Sequence, residues 1–178
     1  MPTEPPSARG AAALTRAPIA FFCSQSCPGD IILKAQDWAN ARGSDSAPVI
    51  GGFHTPIERD VLRILLRGSA PVIIVLARAV QGYRMSPAIK AAVTAGTAHI
   101  ISPFPATQTR TTAATAEARN RHILTLCETV LIAHASPGGK TEALAREAVS
   151  LGHRVFAFSS PGNAHLFDLG ALPLDVSL

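Results

Sequence analysis

The chain has 178 residues, 47% of them hydrophobic and 16% charged, with a formal net charge of +4. That length suits one domain with a sizeable core, and no apolar run approaches the roughly 20 residues of a membrane span, so no membrane partner is expected. The basic excess permits nucleic-acid binding without demanding it.

The start of the chain is rich in Pro, Ala and Arg and has no sustained hydrophobic region, so no secretory signal is expected there. Residues 1–17 are expected to form a disordered tail, and 18–178 a single domain. Three cysteines, Cys23, Cys27 and Cys127, make an odd count without a C-x-x-C pair. They read as reduced thiols of a cytoplasmic protein. A metal site built from Cys23, Cys27 and a histidine is the weaker alternative to small core and loop residues, so neither metal nor cofactor is expected.

From residue 18 onward, strands and helices alternate. Residues 19–23 form an apolar strand, and 30–42 a helix. Val49-Ile50 is a short strand running into Gly51-Gly52. Thr55, Pro56 and Glu58 then supply an N-cap, a first-position proline and the third-position acid of a capping box. Val61, Leu62, Leu65 and Leu66 continue that helix as an apolar stripe. Residues 72–76 are a strand, Ser86-Pro87 opens a helix to about residue 95, and 98–101 is another strand. A loop over 103–110 leads to a helix ending near Cys127. A strand at 129–133, a helix at 140–151 stopped by Gly152, and a strand at 155–158 complete the series. Repeated βα units predict an α/β, Rossmann-like doubly wound domain, with a mostly parallel sheet and helices on both faces. Ligands of such sheets sit beyond the carboxyl ends of the strands.

The most informative loop lies there. His134-Ala135-Ser136-Pro137-Gly138-Gly139-Lys140-Thr141-Glu142 joins an apolar strand to a helix. Glycines let backbone N–H groups close on a ligand, while Lys140 and the helix N-terminus add positive charge, a recipe for holding phosphate. The loop is not a P-loop: His134 stands where the first glycine belongs, and the later strand ends in Ser159-Ser160 rather than Asp. Ser136, Gly138, Gly139, Lys140, Thr141 and Glu142 are therefore candidate phosphate ligands, against the alternative of a tight turn with a solvated lysine. Glu142 either favours the helix N-terminus, bonds a ribose hydroxyl, or serves as a carboxylate catalyst.

Three other segments converge on the same edge. Ser24 and Gln25 follow the first strand without a G-x-G-x-x-G pattern, which disfavours NAD-type binding. Gly51 and Gly52 allow close backbone approach, with His54 beside the cap. Arg119-Asn120-Arg121 offers guanidinium forks to phosphate, although residues two apart do not share a helix face.

The first strand, Gly51-Gly52 with its leucine-rich helix, Arg119-Asn120-Arg121 and the glycine loop together resemble the DNA-processing protein A (DprA/Smf) family. So does Val155-Phe156-Ala157-Phe158-Ser159-Ser160-Pro161-Gly162, followed by Leu166 and Gly170-Ala171. The resemblance covers 18–172 and implies an extended Rossmann-like fold, single-stranded DNA binding in recombination and transformation, and a homodimer. Cys23-Ser24-Gln25 replaces that family's Gly-Ser-Arg. In the wider superfamily, the Pro-Gly-Gly-x-Gly-Thr-x-Glu-Glu motif of the LONELY GUY phosphoribohydrolases is similar to 137–142. That likeness makes Glu142 and Arg119 candidate catalytic residues and Arg121 an alternative match. Three readings follow in order: a nucleotide or other phosphate-bearing small molecule bound at the carboxyl edge, single-stranded DNA binding, and hydrolysis of nucleoside monophosphates.

Overall fold

The computed structural model describes residues 8–9 and 16–175. Its strands are β1 (Ala8–Arg9), β2 (Ile19–Cys23), β3 (Val49–Gly51), β4 (Val72–Val75), β5 (Ala98–Ile101), β6 (Thr129–His134), β7 (Arg154–Phe158) and β8 (Leu172–Leu174). The helices are α1 (Gly29–Asn40), α2 (Pro56–Arg67), α3 (Pro87–Thr94), α4 (Ala113–Leu124), α5 (Lys140–Ser150) and α6 (Ala164–Asp168), with a short 3-10 turn at Pro161–Asn163. The tail expected over 1–17 lies largely outside the described residues. Within it, Ala8–Arg9 pairs antiparallel with Ile100 and Ile101.

All strands run in one sheet of order β1-β5-β4-β3-β2-β6-β7-β8, and every pairing except that of β1 is parallel. The chain winds outward from β2 to β5, then returns to β2's other side and winds outward again from β6 to β8. The switch point therefore lies between β2 and β6, and a cleft opens there beyond the strand ends. A register irregularity falls between Phe22 and Cys23, so Cys23 pairs with His134 rather than with Ala133. Such irregularities re-aim side chains at the rim of a site. This is a Rossmann-like α/β fold, as the alternating elements predict.

Side-chain alternation along β2 divides the core. Phe21 and Cys23 face one layer, with Ile31 and Ala35 of α1, Ile57, Val61 and Leu65 of α2, and Ile89 of α3. Ala20 and Phe22 face the other, with Ile123 of α4, Leu144 and Ala148 of α5, and Leu166 of α6. The capping box of α2 forms as its sequence predicts, with Thr55 Oγ accepting from the Glu58 N–H and Glu58 returning to the cap backbone.

Two C-terminal elements have no sequence-level signal. Helix α6 is only 5 residues long, too short for a readable periodicity. Strand β8 contains Pro173, which is tolerated because β8 lies at the edge of the sheet. Between them and the core sits Asn163, fully buried. Its Nδ2 donates to the carbonyls of Ala133 at 2.9 Å and Phe158 at 3.0 Å, joining the ends of β6 and β7. Both amide hydrogens are thus used, so Oδ1 is the acceptor toward His134 Nδ1 at 2.9 Å. That fixes His134 with its proton on Nδ1.

Replacing Asn163 by Ala strands two buried carbonyls and the His134 N–H. Each costs about 1–3 kcal/mol when left unpaired, so urea denaturation of Asn163→Ala should show a stability loss of at least about 2 kcal/mol. An unchanged midpoint would remove this residue from the fold's supports.

Candidate functional site

The loop between β6 and α5 is a turn with Pro137 second and Gly138 third. Gly138 has φ +73°, and the Gly139 N–H donates to the Ser136 carbonyl at 3.0 Å, the pattern of a type II turn. Its remaining amides are also engaged. Ser136 N–H donates to Ser24 Oγ at 2.9 Å, and Gly138 N–H to Glu142 Oε2 at 3.1 Å. The glycine N–H groups that the sequence offers to a ligand therefore already have partners. What stays open is the first turn of α5, because Gly139 caps it without a side chain and its leading N–H groups have no helical acceptor.

That helix end faces a cavity of about 420 Å³ at the switch point. Among the residues singled out in the sequence, Gln25, His54, Arg119, Arg121, Lys140 and Thr141 line it. Ser24, Gly51, Gly52, Ser136, Gly138, Gly139 and Glu142 do not. Ser24 instead stitches the β2 end to the glycine loop. Gly51 belongs to β3, and a Cβ there would approach Phe53 Cζ at 3.2 Å. Glu142 turns toward Gly138, with Arg146 Nη2 at 3.3 Å and His165 Nε2 at 3.7 Å, and closes the turn rather than facing the cavity.

Gly52 has a different use from close approach to a ligand. A Cβ on it would lie 2.1 Å from Arg119 Cζ, so the guanidinium rests directly on the glycine backbone. Arg119 is 5% exposed. Its Nε donates to Asn120 Oδ1 at 2.8 Å, and Nη1 reaches the Val75 carbonyl at 3.4 Å. Burial pulls the Arg119 pKa down from its ordinary value, while the charge of Glu58 pushes it up.

Glu58 is the residue that sequence reasoning treats only as a cap. Its buried carboxylate also lines the cavity and accepts from Cys23 N–H at 3.0 Å, His54 N–H at 2.7 Å and Thr55 N–H at 3.2 Å. The bond to Cys23 is tertiary, so local spacing carries no signal for it. Glu117 and Glu147 also line the cavity. Lys140 Nζ lies 2.5 Å from Glu117 Oε1, and Arg121 Nε lies 3.1 Å from Glu147 Oε2. Lys140 holds the Glu117 carboxyl below the usual carboxylate range. Both pairs are exposed and screened by water, so they can reorganise when an anion arrives.

The parallel sheet, the two helical layers and a polar cleft at the switch point define a Rossmann-like α/β protein. Its structure is similar to that of DNA processing protein A. The Streptococcus pneumoniae protein superposes with a TM-score of 0.74 at 19% identity, covering 94% of this chain and 62% of that one. The chain thus spans 62% of that relative's length. The Helicobacter pylori protein, described for its single-stranded DNA binding mode, gives a TM-score of 0.77 at 16% identity, covering 95% of this chain and 81% of that one. The molybdenum cofactor carrier protein of Chlamydomonas reinhardtii gives 0.59 at 12% identity, covering 90% and 91%. No protein-family model matches the sequence, and no curated protein matches it.

Gly52→Ala must displace Arg119 and should lower stability by about 1–3 kcal/mol through overpacking. In an Arg119→Ala background most of that cost should vanish, because the clash is gone. A double-mutant cycle by denaturation checks this, and additive losses would contradict the close approach.

The thiols should also separate. Burial pushes the Cys127 thiol up to about 11. The neighbouring Cys27 thiol, with burial, raises the Cys23 thiol, while Cys23 lowers that of Cys27. Only Cys27 is partly exposed. Brief alkylation with iodoacetamide at about pH 8, followed by peptide mass spectrometry, should label Cys27 first. Equal labelling of all three would contradict the assignment.

Proposed function

We propose that this protein binds a nucleotide or another phosphate-bearing small molecule in the switch-point cleft. The phosphate sits on the first turn of α5, contacted by the N–H groups of Lys140 and Thr141, the Thr141 hydroxyl and the Lys140 ammonium. The observation carrying the reading is that α5 begins without a side-chain cap and opens, through Lys140 and Thr141, onto the 420 Å³ cavity. A helix end of that kind attracts anions through its unpaired amides and its dipole. Gln25, Asn120 and His54 line the rest of the cavity and offer hydrogen bonds to a base or sugar. Near-complete mutual coverage with a cofactor carrier protein supports a small ligand in a single domain of this size.

Binding is favoured over hydrolysis. Glu142, the carboxylate expected to serve a phosphoribohydrolase, is engaged by Gly138 and Arg146 outside the cavity. The carboxylates that do line it, Glu58, Glu117 and Glu147, each have hydrogen-bonding or ionic partners. A second reading, single-stranded DNA binding, is supported by likeness to the Helicobacter pylori protein over 95% of this chain.

Calorimetric titration of adenosine monophosphate tests the first reading. Lys140→Ala should weaken binding about tenfold, since a charge-assisted hydrogen bond contributes about 1.5–3 kcal/mol. Glu117→Gln should tighten it by freeing the Lys140 ammonium. Unchanged affinity in both variants would remove the phosphate from α5. For the second reading, anisotropy of a labelled oligonucleotide should show affinity falling steeply with salt, and tight binding at physiological salt would place DNA ahead of the small molecule.

A further inference from the structure

A second cavity, of about 280 Å³, adjoins the first and shares His54 and Arg119 with it. It lies over the ends of β3 and β4, where Gly52 and Val75 contribute to its wall. Its charge is unlike that of the first. Arg59, Arg78 and Arg119 line it with Tyr83, and no carboxylate does. Lys140 and Arg121 each have a glutamate partner, whereas Arg59 and Arg78 form no ion pair among the described residues.

Arg78 carries the clearest unmet demand. Its Nε is buried and lacks a hydrogen-bond partner. The backbone beneath it is fixed: the Arg78 carbonyl accepts from Ser102 Oγ at 2.6 Å, and the Ala79 N–H donates to the Gln108 carbonyl at 2.7 Å. The loop thus fixes the main chain from which the Arg78 side chain reaches the cavity, and no acid pairs with that side chain among the described residues. Three arginines line this cavity with no acid among its lining residues, so an anion there would meet cations without a built-in competitor. A phosphoryl group, with several acceptor oxygens and up to two negative charges, matches the planar forks of arginine. The Tyr83 hydroxyl adds a neutral donor.

We infer that this second cavity is a phosphate-binding site separate from the α5 N-terminus, in which Arg59, Arg78 and Arg119 hold a phosphoryl group. The group arrives either as a second phosphate of the molecule filling the first cavity or as an independent phosphate ester. The site does not rest on the proposed use of Lys140, which lines only the first cavity.

Inorganic phosphate is the first probe, titrated at constant ionic strength into nitrogen-15-labelled protein while the arginine Nε–H resonances are followed. Arg78 should show a saturable shift in the wild type and in Lys140→Ala. In Arg59→Gln, where an exposed side chain is changed, the same shift should need about tenfold more phosphate. An Arg78 resonance that stays still in the wild type, or that stops responding when Lys140 alone is changed, overturns the inference. A nucleoside bisphosphate compared with its monophosphate then separates the sources. About tenfold tighter binding of the bisphosphate, lost in Arg59→Gln, assigns the phosphoryl group to the molecule in the first cavity. Equal affinities with the Arg78 response intact assign it to an independent ester. An intact Arg78 response beside monophosphate binding that ignores Lys140 would sink the proposed function alone.

Discussion

Glu58 sits 6% exposed at the floor of the cleft, where its carboxylate accepts N–H hydrogen bonds from Cys23, His54 and Thr55. Burying a carboxylate costs several kcal/mol unless charge-assisted bonds replace its hydration. Here three backbone donors do so, and they come from the end of β2 and the approach to α2. The carboxylate therefore ties the central strand to the helix that follows β3. It also explains Phe53, which has φ +49°, a conformation that costs a non-glycine residue about 1–3 kcal/mol. The chain must turn sharply there for the next two N–H groups to converge on Glu58. Without that convergence the loop over Arg119 would have no reason to keep its strain.

Arg119 builds on the same knot. Its guanidinium lies on the bare backbone of Gly52, just before Phe53, and feels the opposite charge of Glu58. It forms the common wall of two cavities with different electrostatics. In one, the cations are held by glutamates on exposed helix faces. The other is lined by Arg59, Arg78 and Arg119 and by no carboxylate. A ligand entering the first must exchange partners with Glu117 or Glu147, a small cost in water. A ligand entering the second has no carboxylate of the lining to displace.

The fold was largely legible because its signals are local. The Thr55–Glu58 capping box, the apolar runs of β2 and β6 and the Gly152 stop each report on a few neighbouring residues. The site was legible only in outline. The Gly51-Gly52 pair points to close approach of a ligand, whereas the group lying on Gly52 is the Arg119 guanidinium from α4. Lys140, Thr141 and Glu142 read alike as phosphate ligands in the sequence, yet Lys140 and Thr141 line the cavity while Glu142 points at Gly138, because successive helical residues project about 100° apart. The pairing of Lys140 with Glu117 depends on how α4 packs beside α5, and no spacing within either helix encodes it. Helix α6 and strand β8 are too short to carry a periodic signal.

The two margins of the sheet share a further property. On one side β8 is 3 residues long and contains Pro173, which has no N–H to offer a newcomer. On the other, β1 is a 2-residue strand running against the direction of the rest. Long, flat, unpaired margins invite strand addition and aggregation, and short or proline-bearing ones resist it. Among the described residues, this open sheet thus offers little edge for lateral growth although it is not a barrel. Lengthening the sheet is therefore the least favoured way for another strand to join it.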